Sequence, residues 1–313
     1  MEASIALVVA VSAPLIYASI GETITEKAGL VNLSLDGSIG LAALAGFAAA
    51  FTTGSVLVGF AAGAAVSVAS AALIAYSSIE LRINQIAVGF VLFLLATELS
   101  AFLGDSFVGK AGVAVTSRPI PLLEDIPVLG EIFFSHNLSV YGSYAAIIAA
   151  YLFFYRTRRG LVAMGVGERP DAAHARGVRV NRLRYLYTML GAALVGIGGA
   201  AFSLDVLLGW RRGLTTNFGW IALAIVIFGG WHPFRVALGV YLFGALQVAA
   251  IKVQPVFPGL TQVLPIMPFV LMILALVIVN RDWFRDLGDR FPQWRGLLAA
   301  EPPSALGTVF EPE

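Results

Sequence analysis

Long apolar segments alternate with short polar connections over most of the chain. The segments are continuous, and most reach the ~18 residues or more that a helix needs to cross a bilayer. A β-barrel is excluded because its strands alternate apolar and polar residues. The pattern predicts an all-α integral membrane protein, a polytopic bundle of about eight to ten transmembrane helices. The predicted spans are 3–20, 30–51, 54–77, 84–103, 138–155, 185–208, 216–230, 234–251 and 263–280.

The composition agrees with a lipid environment. Hydrophobic residues make up 58% of the 313-residue chain and charged residues 12%, whereas an ordinary soluble domain has roughly 45–50% and about 25%. The chain has no cysteine, which removes disulfides, thiolate metal sites and a cysteine nucleophile. The three histidines show no metal-ligand spacing, and no Ser, His and Asp set indicates nucleophilic catalysis. We therefore expect no catalytic residue and no metal site.

Charged residues in the connections predict the topology. Residues 156–184 contain eight of the twenty basic residues and two acids, so this loop is expected in the cytoplasm. The connection 104–137 is acidic and rich in proline and is expected outside. Alternation from these two loops places the N-terminus outside and residues 281–313 inside. Arg211 and Arg212 then fall outside, which is the one local exception.

One apolar segment begins with a polar run, GLVNLSLDGS, at residues 29–38. Irregular polar backbone at membrane depth is tolerated only inside the protein or beside a wet cavity. The run therefore predicts either a broken or half helix whose N-terminal N–H groups bind a polar solute, or a helix cap that bonds to neighbouring helices. The candidate substrate pathway comprises the polar residues at membrane depth in this run and in other spans: Asn32, Ser34, Asp36, Asn84, Gln85 and Asn217.

An internal repeat accompanies this run. GLVNLSLDGSIGLAALAGF near residue 29 has a weak counterpart in GLTTNFGWIALAIVIFGG near residue 213, and the spans that follow correspond in order at an offset of about 180 residues. The predicted topology gives the two halves opposite orientations. The pattern predicts an inverted internal repeat with half-helices, and a binding site near the midplane where the repeats meet.

Four segments carry a resemblance to a known family: residues 21–47 (GETITEKAGLVNLSLDGSIGLAALAGF), 81–90 (LRINQIAVGF), 165–186 (GVGERPDAAHARGVRVNRLRYL) and 219–234 (GWIALAIVIFGGWHPF). In this order they resemble the signature of ABC importer permeases of the simple-sugar and nucleoside branch, within the branched-chain amino acid permease superfamily. Asp36 and Arg169 depart from the signature, because they stand where Glu and Asn are usual.

The resemblance implies the permease subunit of an ATP-binding cassette importer, which moves nucleosides or simple sugars by alternating access in the plasma (inner) membrane of a prokaryote. It also implies three partners: a cytoplasmic ABC ATPase, a second homologous permease subunit in a heterodimer or homodimer, and an extracytoplasmic substrate-binding lipoprotein. Membrane lipid surrounds the assembly, and no nucleic acid takes part. A branched-chain amino acid permease and an ion-coupled secondary transporter remain the alternatives.

The source of ATP hydrolysis follows from the absence of a nucleotide motif. GDSFVGKA at residues 104–111 matches the start of a phosphate-binding P-loop, but Ala111 stands where a Ser or Thr must ligate magnesium, and no strand precedes it. We therefore expect that this chain is a transport subunit and not an enzyme. It is expected to bind no cofactor, and ATP with magnesium is expected in the partner ATPase.

The arginine-rich loop 156–184 is the expected contact with the ATPase. Residues 165–177 predict a short helix there, because Pro170 suits a first turn, Asp171 favours a helix N-terminus and the alanines have high helix propensity. The candidate coupling residues are Gly167, Glu168, Arg169, Pro170, Asp171, Ala172, Ala173 and Gly177.

The chain divides into two parts. Residues 1–280 are predicted to form the transmembrane permease domain. Residues 281–313 are predicted to lie in the cytoplasm as an interfacial helix, whose apolar stripe stands beside arginines. A proline-rich tail beyond Glu301 follows and is predicted to be disordered.

Overall fold

The computed structural model describes residues 2–256 and 302–311, together with seven isolated positions between 263 and 277. Within these residues the protein is helical and contains no strand, only two isolated β-bridges. The α-helices are α1 (Glu2–Lys27), α2 (Leu35–Thr53), α3 (Val56–Ile79), α4 (Gln85–Gly104), α5 (Leu138–Arg156), α6 (Arg158–Glu168), α7 (Pro170–Ala175), α8 (Val180–Ala201), α9 (Phe218–Phe228) and α10 (Pro233–Val253). A π-helical segment, Phe202–Val206, continues α8.

Seven of the described helices are long and apolar enough to cross a membrane, and α9 is a shorter apolar helix. Seven predicted spans are therefore confirmed, and the predicted span 216–230 corresponds to the shorter helix α9. The ninth, 263–280, lies mostly outside the described residues. The prediction that the polar run opens a half helix is wrong for α2. Its 19 residues extend about 28 Å at 1.5 Å per residue. The apolar helix α9, with 11 residues, has about half that reach.

The helix α8 lies at the centre of the bundle and packs against α1, α2 and α3. Its glycines bring backbones into direct contact. A β-carbon at Gly191 would lie 2.4 Å from the carbonyl oxygen of Gly21 in α1, and one at Gly196 would lie 2.3 Å from the carbonyl oxygen of Gly63 in α3. Small residues at such crossings permit the close approach that holds membrane helices together.

Each end of the bundle brings together segments that the sequence predicts on the same side of the membrane, and the two ends are called inner and outer after that prediction. At one end, Arg82 pairs with Glu311 at 3.0 Å, and Glu168 accepts a hydrogen bond from Ser304. All of these residues belong to segments predicted to lie inside. At the other end, Arg212 pairs with Asp105 at 3.0 Å, so an acid from the loop 104–137 neutralises one of the two arginines that broke the charge rule.

The direction of the helices fits an inverted repeat. The helix α2 begins at the turn that follows α1 and runs to the outer end, whereas α9 begins beside Asp36 and ends near Glu26, at the inner end of α1. The helices α3 and α10 follow them in the same order. They run in opposite directions, because α3 ends beside Leu30, after the end of α1, whereas α10 ends beside Ser4, at the start of α1. The two helix starts therefore meet inside the protein.

The prediction of a disordered tail is wrong for residues 302–311. Ala305 N–H donates to the carbonyl of Gly167 at 2.9 Å, Gly307 N–H donates to the carbonyl of Gly29 at 3.1 Å, and Phe310 is buried. The composition of the tail correctly excludes a core of its own. It does not exclude docking, because the surface that receives the tail is built by the helices. The predicted interfacial helix at 281–300 lies outside the described residues.

Candidate functional site

The turn between α1 and α2, residues 28–34, is called the polar turn here. Gly29 N–H donates to the carbonyl of Glu26 at 2.9 Å and Leu30 N–H donates to that of Thr25 at 3.4 Å, which is a Schellman cap. Gly29 has φ +96°, and a β-carbon there would lie 3.0 Å from Arg184 Nη2. Glycine is therefore required at this position both for its backbone conformation and for space.

The polar side chains of the turn bond to one another. Asn32 Oδ1 accepts hydrogen bonds from Ser34 N at 3.1 Å and from Ser34 Oγ at 2.7 Å, and Ser34 Oγ lies 3.0 Å from Ser38 Oγ. Asn32 is 2% exposed and Ser34 is fully buried. In this conformation the two predicted pathway residues satisfy each other, so a solute that used them would have to replace these bonds.

Two carboxyl groups of α1 complete the cluster, and sequence reasoning missed both. Glu22 Oε1 accepts from the backbone N–H of Asn32 at 3.2 Å, and Glu26 Oε2 accepts from Trp231 Nε1. Glu22 is fully buried and Glu26 is 3% exposed. The two residues lie one helical turn apart in the GETITEK motif. This spacing was the available signal, but the predicted first span ended at residue 20.

Asp36 joins the two repeats. Its Oδ1 accepts from the backbone N–H of Gly219 at 2.8 Å, in the first turn of α9. Asn217, which precedes that helix with φ +71°, makes no side-chain cap. Asp36 therefore performs from α2 the capping that an acidic side chain usually performs within its own helix.

Gly219 permits the close approach of these two helices. A β-carbon at position 219 would lie 2.2 Å from both the N and the Cα of Asp36. The start of α9 thus rests directly on the backbone of α2. We refer to this contact between Asp36 and Gly219 as the α2–α9 junction.

The remaining predicted pathway residues divide into two groups. Gln85 is buried, and its Oε1 accepts from the backbone N–H of Val31 at 2.9 Å, so it belongs to the polar turn. Asn84 and Asn217 are exposed. The Asn84 side chain accepts from the N–H groups of Ile86 and Ala87, and so caps α4. The structure therefore brings Asn32, Ser34, Asp36 and Gln85 together and leaves Asn84 and Asn217 at the surface.

Several buried polar atoms beside the polar turn are not hydrogen-bonded to any described residue. They include Glu22 Oε2, which is an acceptor, and Gln85 Nε2 and Arg184 Nη2, which are donors. Buried polar atoms are usually paired, and an exception points to a bound group or to a change of conformation. The cluster can therefore hydrogen-bond a polar solute.

The predicted coupling helix exists but is shorter than expected. Residues 165–168 belong to the end of α6, and α7 begins at Pro170 as its first residue. Arg169 breaks the helix, with φ −144° and ψ 80°, because a residue before proline disfavours the helical region. Gly177, at φ +82°, follows α7. The single helix expected over 165–177 is therefore two helices joined at Arg169.

The helices α6 and α7 line an open groove of about 520 Å³. Its lining is mostly apolar and includes three charged residues. The lining residues are Leu161, Val162, Gly165, Glu168, Arg169, Ala172, Ala173, Arg176 and Val178. A groove of this kind suits an apolar side chain of a protein partner, surrounded by polar contacts. It is called the docking groove below.

Comparison with known proteins identifies the family. Residues 4–276 match the family described as "Branched-chain amino acid transport system / permease component". A putative glucose ABC transporter permease protein of Haloferax volcanii, TsgC13, is 36% identical over 77% of this chain and 74% of its own. No solved structure matches.

Two further relatives carry nucleoside names. The nucleoside ABC transporter permease protein NupC of Lactococcus lactis is 31% identical over 85% of this chain and 89% of its own. The guanosine ABC transporter permease protein NupQ of Bacillus subtilis is 33% identical over 85% and 88%. With a family match over nearly the whole membrane region and relatives that align over most of both chains, the protein belongs to the family of branched-chain amino acid transport system permease components.

Proposed function

We propose that this chain is the permease subunit of an ATP-binding cassette importer for nucleosides or simple sugars, a multi-pass protein of a prokaryotic plasma membrane. One structural observation supports it most: a buried polar turn at the start of α2 lies against the start of α9, whose direction is opposite. Opposed helix starts of this kind carry the solute sites of many transporters. The names of the relatives favour nucleosides and sugars over branched-chain amino acids.

The chemistry of the polar turn fits such a solute. Asn32 and Ser34 are neutral hydrogen-bonding side chains that now bond each other. A sugar hydroxyl or a base edge would replace these bonds, and each neutral hydrogen bond contributes about 1 kcal/mol net. A gain of that size is compatible with binding and with release. Alternating access would open and close the polar turn to each side in succession.

The proposed importer requires three other proteins. An ATPase docks at the groove between α6 and α7 on the inner end, a binding protein delivers the solute at the outer end, and a second permease completes the path. Relatives named as ABC transporter permeases support this general arrangement. The apolar side chains of α4 that are exposed in the single chain, such as Phe90, Val91 and Leu95, leave room for lipid or for the second permease.

A second candidate, ion-coupled secondary transport, is favoured by one observation. Glu22 and Glu26 form a pair of buried acids in α1, and ionisable residues inside a membrane protein often mark an ion path. Each of the two also has a structural hydrogen bond, to Asn32 and to Trp231 respectively. These bonds give the acids a role in an ATP-driven permease as well.

Reconstitution separates the two candidates. Vesicles that contain this chain, its companion permease, the ATPase and the binding protein should accumulate solute only when ATP reaches the ATPase, and an ionophore should leave uptake unchanged. A secondary transporter would instead use the ion gradient, worth about 2.3 kcal/mol per charge per 100 mV. Omission of the ATPase or of the binding protein is the control. Accumulation by this chain alone under an imposed gradient would overturn the proposal.

The docking groove gives a second prediction. The double substitution Glu168→Lys and Asp171→Lys should abolish uptake and reduce co-purification of the ATPase, because it reverses the charge of both acids in the loop. Uptake and co-purification are measured together in membranes. Glu80→Lys is the matched control, since it makes the same change at the same end outside the groove. Normal uptake with normal ATPase association in the double variant would remove the groove from the proposal.

A further inference from the structure

Residues 302–311 cross the inner end of the protein and are called the strap. We infer that the strap transmits movement from the docking groove to the polar turn, and so couples ATP hydrolysis in the partner to solute movement. The inference rests on the proposed function. Three contacts of the strap support it: one with the end of α6, one with the polar turn, and one with a buried cluster between α6 and α8.

The first contact is with the end of α6, beside the docking groove. Ser304 donates twice to Glu168 Oε2, from its N–H at 3.1 Å and from its Oγ at 2.7 Å. Ala305 N–H donates to the carbonyl of Gly167 at 2.9 Å. Both acceptors lie at the end of α6, directly before the break at Arg169. Any displacement of that end by a docked ATPase must therefore move the strap.

The second contact is with the polar turn. Gly307 N–H donates to the carbonyl of Gly29 at 3.1 Å. Arg184, buried in α8, donates from Nη1 to the carbonyl of Thr308 at 2.8 Å. The same guanidinium lies against Gly29, because a β-carbon added at position 29 would be only 3.0 Å from Nη2 of Arg184. Only Leu306 separates Ala305, which contacts the end of α6, from Gly307, which contacts Gly29, so the two sites are joined by a very short piece of chain.

The third contact anchors the strap. Phe310 is buried in a cluster with Val166 of α6 and Val180 of α8. Burial of an aromatic side chain away from water stabilises the attachment. The ion pair between Glu311 and Arg82 is exposed and adds little, since solvent screens surface pairs. The aromatic ring is therefore the main attachment of this end.

The position of the strap favours transmission over inhibition. None of its residues lines the docking groove. The strap contacts the helices that form the groove: Ser304 bonds Glu168 at the end of α6, and Phe310 contacts the ring of His174 in α7. An inhibitory segment would occupy the groove itself.

Removal of the strap tests the inference. Truncation after Glu301 should leave the ATPase bound and active, but solute moved per ATP hydrolysed should fall severalfold, because the end of α6 would no longer be joined to the polar turn through the strap. Phe310→Ala should cause a smaller loss of the same ratio. Val309→Ala is the matched control, because the neighbouring side chain is exposed. These point variants serve if the truncated chain fails to insert.

The outcomes are distinct. A normal ratio in the truncated chain and in Phe310→Ala would overturn the inference, and so would faster uptake after truncation, which indicates inhibition. Failure of ATP-driven uptake by the wild-type assembly would instead overturn the proposed function, and this arm is measured first.

A cross-link provides an independent test. The chain has no cysteine, so Arg82→Cys combined with Glu311→Cys creates a single thiol pair in place of the exposed ion pair at the end of the strap. A short bifunctional thiol reagent should join them, and coupled uptake should persist because the strap acts while attached. Loss of uptake upon cross-linking, absent in either single variant treated alike, would show that the strap must leave, and would overturn the inference.

Discussion

Replacement of Gly219 by alanine is expected to abolish uptake. The new β-carbon would lie 2.2 Å from the N and Cα of Asp36, and these are backbone atoms that no side-chain rotation can remove. Overpacking of this kind costs about 1–3 kcal/mol in well-packed cores. The α2–α9 junction would have to separate, which would break the hydrogen bond between Asp36 and Gly219 and displace the polar turn. Uptake per folded protein and thermal stability in detergent measure the two effects.

Gly209→Ala is the matched control. The nearest atoms to a β-carbon there, the carbonyl oxygens of Leu207 and Lys110, are both 3.9 Å away. The substitution is therefore expected to leave uptake and thermal stability unchanged. If Gly219→Ala behaved like this control, the junction would not be a tight contact and the arrangement of the two repeats would need revision.

Apolar runs predicted the spans well because burial in lipid needs nothing beyond the run itself. The segment 138–155 corresponds to α5 at Leu138–Arg156. The same reliance on apolar runs ended the predicted first span at residue 20, although α1 continues to Lys27. Glu22 and Glu26 interrupt the apolar run, and only the groups they bond, Asn32 and Trp231, allow them to lie inside the protein.

Contacts between distant residues lay beyond the sequence. Asp36 was predicted from the sequence to lie at membrane depth, and the structure shows that it is buried. Its partner Gly219 lies 183 positions away, and no local pattern joins the two. The strap gives a second case. Its backbone groups bond to carbonyls of Gly167 and Gly29, and backbone hydrogen bonds leave no mark in composition. The weak internal repeat was the one signal that pointed to a meeting of the two helix starts.

Two substitutions of Asp36 distinguish a role in capping α9 from a direct role in solute binding. Asp36→Ala is expected to lose most uptake, because the buried N–H of Gly219 would lose its acceptor, and an unpaired buried group costs about 1–3 kcal/mol. Asp36→Asn keeps an Oδ1 acceptor at the same position, and asparagine caps helices about as well as aspartate. If capping is the role, Asn should retain most of the uptake and of the thermal stability that Ala loses.

The comparison of the two variants with Gly219→Ala completes the test. Asp36→Ala and Gly219→Ala act on the same contact, so their combined effect should be smaller than the sum of the single effects, as is usual for residues that touch. Full additivity would indicate separate roles. Loss of uptake in Asp36→Asn at unchanged thermal stability would show that the charge of the carboxyl group serves the solute path directly. The capping role would then be secondary, and the site would prefer solutes whose hydroxyl or amino groups donate to an anion.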